Sequence, residues 1–328
     1  MWNRHWIFDI MGSMHLSRSS SSAPDPLSHV LEVLGAQVTR RTRMEMAGNW
    51  ALGFPEAERL KFVAMVRGSA WMRPAGQAPV RIAAGDVCLI GPVAYVIASD
   101  RYRRPIDGLR LYDGPGQDMV RIGGQETIAI GGTVTFAGAG SKFLIDMLPD
   151  FLMVPQAAAG SGTIATILQL VSDEIMRYTI GADIVGARLA DILLVETFRA
   201  CIPSADHAGK GWLGALLDDR IGRALRDLHA DVAHPWTVAE LARVAGMSRS
   251  AFADEFARRI GQPPLTYLRN WRLTLARQVL SKGDASVAQV AEAVGYRSQG
   301  AFSQAFRRTF RRTPTAGSDD ADDEPRQT

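Results

Sequence analysis

Residues 286–314 read SVAQVAEAVGYRSQGAFSQAFRRTFRRTP, and residues 237–264 read TVAELARVAGMSRSAFADEFARRIGQPP. The two align as copies: Ala242 with Ala291, Gly246 with Gly295, Phe252 with Phe302, Phe256 with Phe306 and Pro264 with Pro314. The offset is 49 residues at the glycines and 50 at the phenylalanines. A repeat at near-fixed spacing means one structural unit used twice.

Each copy begins with a capping box, Thr237-x-x-Glu240 and Ser286-x-x-Gln289. In such a box the hydroxyl and the later side chain satisfy each other's free backbone amides. Apolar residues at helical spacing follow: Val238, Leu241, Ala242 and Ala245, then Val287, Val290, Ala291 and Val294. Gly246 and Gly295 end these helices, since a residue without a β-carbon turns left-handed at least cost. Ser248 and Ser298 then cap a second helix whose apolar face is Phe252 and Phe256, or Phe302, Phe306 and Phe310. Helix, glycine turn, helix is helix-turn-helix grammar. Between the copies, LTYLRNWRLTLARQVLSKG reads as one connecting helix.

Two helix-turn-helix units on one connecting helix resemble the AraC-type transcription regulators across about residues 212–315. The features that carry the resemblance are the capping boxes, A-x-x-x-G and S-x-x-x-F-x-x-x-F in both copies, RLTLARQVL between them and a proline after each second helix. It implies that the second helix of each unit enters a DNA major groove, with the two units reading successive turns along one face. The side chains opposite the phenylalanines are then the base-reading candidates: Gln299, Ser303 and Gln304 in the second copy, and Arg249, Ser250, Ala253 and Asp254 in the first. Gln bonds adenine bidentately, and an acid at 254 accepts only from cytosine N4. Arg258, Arg307, Arg308, Arg311 and Arg312 read as phosphate contacts, which set affinity without sequence information. The family usually has a basic residue at position 254 and a glycine at position 311. After the proline the family usually has an aromatic and Arg, where this chain has TAGSDD, so the last helix is expected to end differently from the family's.

The charge distribution agrees with a polyanion partner. Residues 235–315 carry 13 Lys/Arg against 5 Asp/Glu, a net +8, within a chain of net +3. The tail, residues 316–328, is polar, disordered in expectation and net −4. At the other end, residues 1–23 read as a disordered leader rather than a signal peptide, with Met11 and Met14 as alternative starts.

Between them the texture changes twice. DPLSHVLEVLG (25–35) has helical spacing, with Asp25 as cap and Pro26 at the first helical position. From about 38 to 137, short β-like runs broken by glycine predict a barrel or sandwich, and IAAGDVCLIGP resembles the glycine-turn-strand signature of cupins. From 143 the pattern is helical. The stripe Ile164, Ile167, Leu168, Val171 and Ile175 exceeds what a lone solvated helix needs, and fits either packing on the barrel or a dimer interface. AGKG (208–211) reads as a hinge. The expected fold class is therefore α+β: leader 1–23, cupin-like sensor barrel 24–142, helical linker or dimerisation segment 143–207, all-α double helix-turn-helix domain 208–315, and tail 316–328.

Enzyme signatures are missing. All six histidines (His5, His15, His29, His207, His229, His234) lie outside 38–137, so the barrel offers no imidazole to a transition metal. GAGSKF lacks P-loop spacing, and no G-x-S-x-G occurs. Cys88 and Cys201 are the only cysteines and make no disulfide framework, which fits a reducing cytoplasm. No apolar run approaches the ~18 residues of a membrane span. The leading expectation is thus a cytoplasmic DNA-binding transcription regulator without cofactor, metal or catalytic residues. Its partners would be promoter DNA, RNA polymerase if it activates, a small organic effector in the barrel and, in one form, a second copy. Arg40, Arg41 and Arg43, or Arg101, Arg103 and Arg104, are candidates to hold an anionic effector, against a bland role as solvated surface. The alternatives are a cupin-type enzyme fused to a DNA-binding module, and a non-specific DNA binder.

Overall fold

The structure, a computed structural model, describes residues 25–114, 117–136, 141–158, 161–177, 180–201 and 211–315. The leader, residues 208–210 of the glycine hinge and the acidic tail lie outside the described residues. Among the described residues helix α1 (Pro26–Val33) comes first and is followed by strands β1 (Gln37–Met46), β2 (Ala51–Phe54), β3 (Leu60–Arg67), β4 (Ser69–Pro74) and β5 (Val80–Ala83). Strands β6 (Val87–Ile90), β7 (Tyr95–Ala98), β8 (Ile106–Asp107), β9 (Met119–Ile122) and β10 (Thr127–Thr135) lead to helix α2 (Ser141–Ile145) and strand β11 (Phe151–Val154). The remaining helices are α3 (Ser161–Arg177), α4 (Ala182–Cys201), α5 (Trp212–Leu217), α6 (Ile221–Ala230), α7 (Val238–Ala245), α8 (Arg249–Ile260), α9 (Pro264–Ser281), α10 (Val287–Ala293) and α11 (Gln299–Phe310). None of the described helices is long and apolar enough to cross a membrane.

The chain divides into two compact units that interleave along the sequence: Ala36–Thr135 with Leu148–Ala208, and Met1–Gly35 with Phe136–Met147 and Gly209–Thr328. The first unit holds two sheets, ordered β11-β6-β3-β10-β1-β9 and β5-β4-β7-β2-β8. Their inner faces enclose a core that includes Met46, Leu52, Met65, Met72, Ile82 and Ile90. The GD turn within IAAGDVCLIGP shows why those residues are needed. Gly85 sits at φ +91, where an added β-carbon would strike Gln156. Asp86 accepts from the backbone N–H of Ala83 at 2.7 Å and of Gln156 at 2.8 Å, fixing the strand that follows.

Helices α3 and α4 pack on each other and over the outer face of the first sheet, against β1, β3 and β11. Strand β3 is therefore buried on both faces, and reads as a nearly continuous apolar run rather than an alternating one. Ile164, Ile167, Leu168 and Val171 are buried within the chain, so this part of the apolar stripe is accounted for by packing on the barrel. The side chain of Ile175 lies outside the described residues. Beneath the helices, the fully buried carboxylate of Glu45 accepts from Arg43 at 2.8 Å, Arg121 at 2.6 Å and Gln125 at 2.8 Å. Burial alone would raise its pKa, but these donors outweigh it and hold the group at about 2.

The described residues of the second unit form helices and the turns between them. As the sequence implies, Asp25 caps α1, accepting from the N–H of Ser28 at 2.9 Å, and α1 packs on α5 and α6. The centre holds Trp212, Tyr267 and Trp271, all fully buried. A polar chain threads it: the Trp212 indole N–H donates to the Tyr267 hydroxyl at 3.0 Å, and that hydroxyl meets His229 Nε2 at 2.7 Å. Burial, then the neighbouring His29, push the His229 pKa well below its ordinary value, so this ring stays neutral. Trp271 is thus a core anchor, whereas Trp236 is half-buried and pins its loop by donating to the Asp231 carbonyl at 2.8 Å.

Candidate functional site

Both capping boxes form. Thr237 accepts from Glu240 N–H at 3.2 Å and donates its own N–H back at 2.8 Å; Ser286 and Gln289 do the same at 3.3 and 3.0 Å. Gly246 and Gly295 stand at φ 66 and 85. In each copy the next residue's N–H reaches back to close the turn: Met247 to Ala242 O, and Tyr296 to Ala291 O, both at 2.9 Å. The change of offset from 49 to 50 falls here, because the second copy has Tyr296 and Arg297 where the first has Met247 alone. Ser248 and Ser298 then cap α8 and α11.

The phenylalanines point inward as the spacing requires: Phe252, Phe256, Phe302 and Phe306 are at most 3% exposed. Phe310 is only half-buried, edge-on to Phe306 with the Arg277 guanidinium 4.9 Å from its ring centre. The opposite faces are open. On α8, Arg249, Ser250, Asp254 and Arg258 are exposed and Ala253 is half-buried. On α11, Gln299, Gln304, Arg307 and Arg308 are exposed and Ser303 is half-buried; beyond it Arg311 is exposed and Arg312 half-buried. Residues 250, 254 and 258, or 304 and 308, fall four apart, so each helix presents a polar stripe.

The electrostatics of the two stripes differ. Arg258 grips Glu255 through Nε at 2.9 Å and Nη2 at 2.6 Å. Arg259 bonds the same carboxylate at 2.5 Å and also pairs with Asp218 at 3.0 Å. Hydrogen bonds from Arg258, then Arg259, hold the Glu255 carboxyl at about 2. In the second copy, Arg307, Arg308 and Arg311 make no ion pair among the described residues. Arg297, just ahead of the α11 cap, is also exposed and cationic; its signal in the sequence was the change of offset.

At position 311 the turn is the one a glycine would make, while the segment after Thr315, the other departure from the family, lies outside the described residues. Arg311 adopts φ 60, the only described non-glycine residue with positive φ, and its N–H bonds Arg307 O at 2.9 Å. Gly261 ends α8 identically, at φ 81 with its N–H on Ala257 O at 2.9 Å. The last carbonyls need a donor whichever residue follows, and here arginine accepts the left-handed strain that glycine avoids.

In the barrel unit, the basic residues proposed for an effector divide by strand alternation. Arg40, Thr42 and Met44 of β1 line a cavity of about 100 Å³ between the sheets. Arg41 and Arg43 point the other way, to Asp183 at 3.3 Å and to Glu45 and Ser172 at 2.8 Å. Arg101, Arg103 and Arg104 are exposed outside the cavity, with the Arg101 guanidinium 5.5 Å from the rings of Trp71 and Tyr102. Lys61, which sequence reasoning passed over, lies in the cavity wall with its ammonium 5.7 and 5.6 Å from the centres of Phe54 and Tyr95. Its signal is the alternation Lys61, Val63, Met65 along β3, which sends all three inward.

Fold and surface together define a class: a β-barrel unit joined to a pair of groove-sized helices on a double helix-turn-helix scaffold. Comparison with known proteins agrees. A cupin family profile matches residues 25–203, and a helix-turn-helix domain profile matches residues 241–317. The chain is 34% identical over 301 residues to an AraC-like transcription regulator of Streptomyces lividans, covering 88% of this chain and 96% of that protein. It is 30% identical over 302 residues to the HTH-type transcriptional regulator AlkR of Acinetobacter baylyi, covering 88% and 97%. Among solved structures, the DNA-binding domain of AdpA in complex with a target DNA matches at 31% identity, covering 30% of this chain and 87% of that one, with a TM-score of 0.29. The chain belongs to the AraC-type family of DNA-binding transcription regulators, in a form with a cupin-like domain.

Proposed function

We propose that this regulator reads its operator through the exposed stripes of α8 and α11, and that the two units divide the work. Gln299, Ser303 and Gln304 contact bases in one major groove; Arg249, Ser250, Ala253 and Asp254 do so in the other. Arg307, Arg308, Arg311 and Arg312 bind phosphate, so the second unit supplies most of the affinity. Arg258 contributes less, because Glu255 already holds it. With little free charge, the first unit acts mainly through selectivity, and Asp254 favours a cytosine whose N4 it can accept from. The observation that carries this reading is the pair of matched, outward-facing helices that differ in how far their arginines are already paired. The barrel cavity takes a small organic effector that binds more tightly in one arrangement of the chain, shifting its affinity for DNA. Leu170, Ile184, Val185 and Ile192 on α3 and α4 stay exposed and are the surface a second copy would cover. The protein would act in the cytoplasm, with RNA polymerase as a further partner if it activates.

Anisotropy of a labelled operator, selected from random DNA, against its scrambled counterpart tests the reading. A preference of about a thousandfold or more is expected. Gln304→Ala should erode that preference, whereas Arg308→Ala should weaken binding to both DNAs alike. Equal affinity for the two DNAs would leave the non-specific alternative standing.

A further inference from the structure

We propose that the barrel cavity is a site for a small carboxylate with an apolar body, its charged end held by Lys61 and Arg40; this rests on the reading above that the cavity takes an effector. Lys61 is half-buried beside Phe54 and Tyr95, whose rings stack with centres 5.0 Å apart, and makes no ion pair among the described residues. A lysine that only covers apolar surface carries its charge out to water, and a buried one is normally paired. Lys61 does neither. Arg40 lines the same space, its guanidinium oriented by donation to the Tyr112 carbonyl at 2.6 Å. Among the described residues its one carboxylate partner, Asp118, is 3.4 Å away with more than half its side chain exposed, and so holds it weakly. Two cations therefore face one cavity, and among the described residues only the exposed Asp118 pairs with either of them.

The rest of the wall says what such an anion carries. Met44, Phe62, Val63 and Ile97 are apolar, and β10 passes as Gly131 and Gly132. A β-carbon at 131 would come within 2.8 Å of Thr42 Oγ1, so the wall here is bare backbone. Cavities of roughly 150 Å³ admit a single aromatic ring, so a cavity of about 100 Å³, open at its mouth, suits a body of that order or smaller. Two cations on flexible stems match a monocarboxylate, whereas a phosphate dianion usually gathers several backbone N–H donors as well. Burial, then Arg59, depress the Lys61 pKa, a strain that a bound anion relieves.

The test is calorimetry on the full chain with benzoate, phenylacetate and hexanoate, each against its amide. At least one acid should bind about tenfold or more tightly than its amide, the margin expected of a charge-assisted contact. Lys61→Gln should remove that margin and Lys61→Arg should keep most of it, with retained thermal unfolding transitions showing that both variants fold. An amide as tight as its acid overturns the carboxylate assignment but leaves an effector cavity. Acid binding unchanged in both Lys61→Gln and Arg40→Gln overturns it in the same way. If neither acids nor amides bind, the assignment and the effector reading fall together.

Discussion

The two helix-turn-helix copies share a backbone and differ in what it carries. Each has a reciprocal capping box, a left-handed glycine, a serine cap and a buried phenylalanine pair. The first copy then cancels its own charge, with Glu255 holding Arg258 and Arg259, and places Asp254 on the open face. The second leaves Arg307, Arg308 and Arg311 without ion pairs among the described residues. Local hydrogen bonding and the apolar face set the unit's shape, and the remaining positions are free to set affinity or selectivity separately.

The largest expected effect tests whether the copies are equivalent as structures. Phe256→Ala and Phe306→Ala should each cost about 3–5 kcal/mol in urea denaturation, since both rings are essentially fully buried. A small loss in one copy alone would break the equivalence. The glycines should separate the copies next. Gly246→Ala should cost about 1–2 kcal/mol for left-handed backbone alone, as an added β-carbon meets only the end of Arg223 at 3.8 Å. Gly295→Ala should cost clearly more, because its β-carbon would come within 2.5 Å of the Ala233 carbonyl oxygen.

Charge comes third. Losing Arg307 and Arg308 together should flatten the dependence of log K on log salt by about 0.9 for each phosphate released. Arg258→Ala should leave that slope nearly unchanged, and Glu255→Gln should steepen it by freeing Arg258, while Arg259 keeps its pair with Asp218. Smaller again, Arg311→Gly should stabilise the helical unit by about 0.5–1 kcal/mol by relieving the strained turn, measured by denaturation without DNA. The least effect is a pH step. The carboxyl of Glu255 is held at about 2 by Arg258 and Arg259. Its lowered folded pKa means that its stabilisation is complete above the ordinary carboxylate range and is lost as pH falls towards about 2. Glu255→Gln should remove that component of the acid titration.

What could be read from the sequence was local. Capping boxes, glycine turns and the inward phenylalanines are set by residues within four or five positions of each other, and the folded chain has them where spacing puts them. Arg311 shows the limit of residue preference: the absent glycine implied a different ending, yet the demand of the last turn's carbonyls decided the geometry. The barrel was legible as texture but not as a site. Arg40, Arg41 and Arg43 looked like one basic cluster, and strand alternation sends Arg40 into the cavity and the other two behind it. Lys61 becomes notable only because Tyr95, from a strand distant in sequence, stacks on Phe54 beside it. Likewise the apolar period of α3 could not say what covers it; β3 and α4 do.

The division of labour between the two copies is tested most directly by titrating the full chain onto its selected operator and a scrambled duplex between about 50 and 200 mM salt. Wild type, Asp254→Asn and the Arg307→Ala, Arg308→Ala double variant would be measured side by side. The double variant should lose affinity equally on both DNAs, with a shallower salt slope and its preference intact. Asp254→Asn should bind scrambled DNA at least as tightly as wild type and lose part of the preference for the operator. The reverse pattern, with preference lost in the double variant and overall affinity lost in Asp254→Asn, would overturn it.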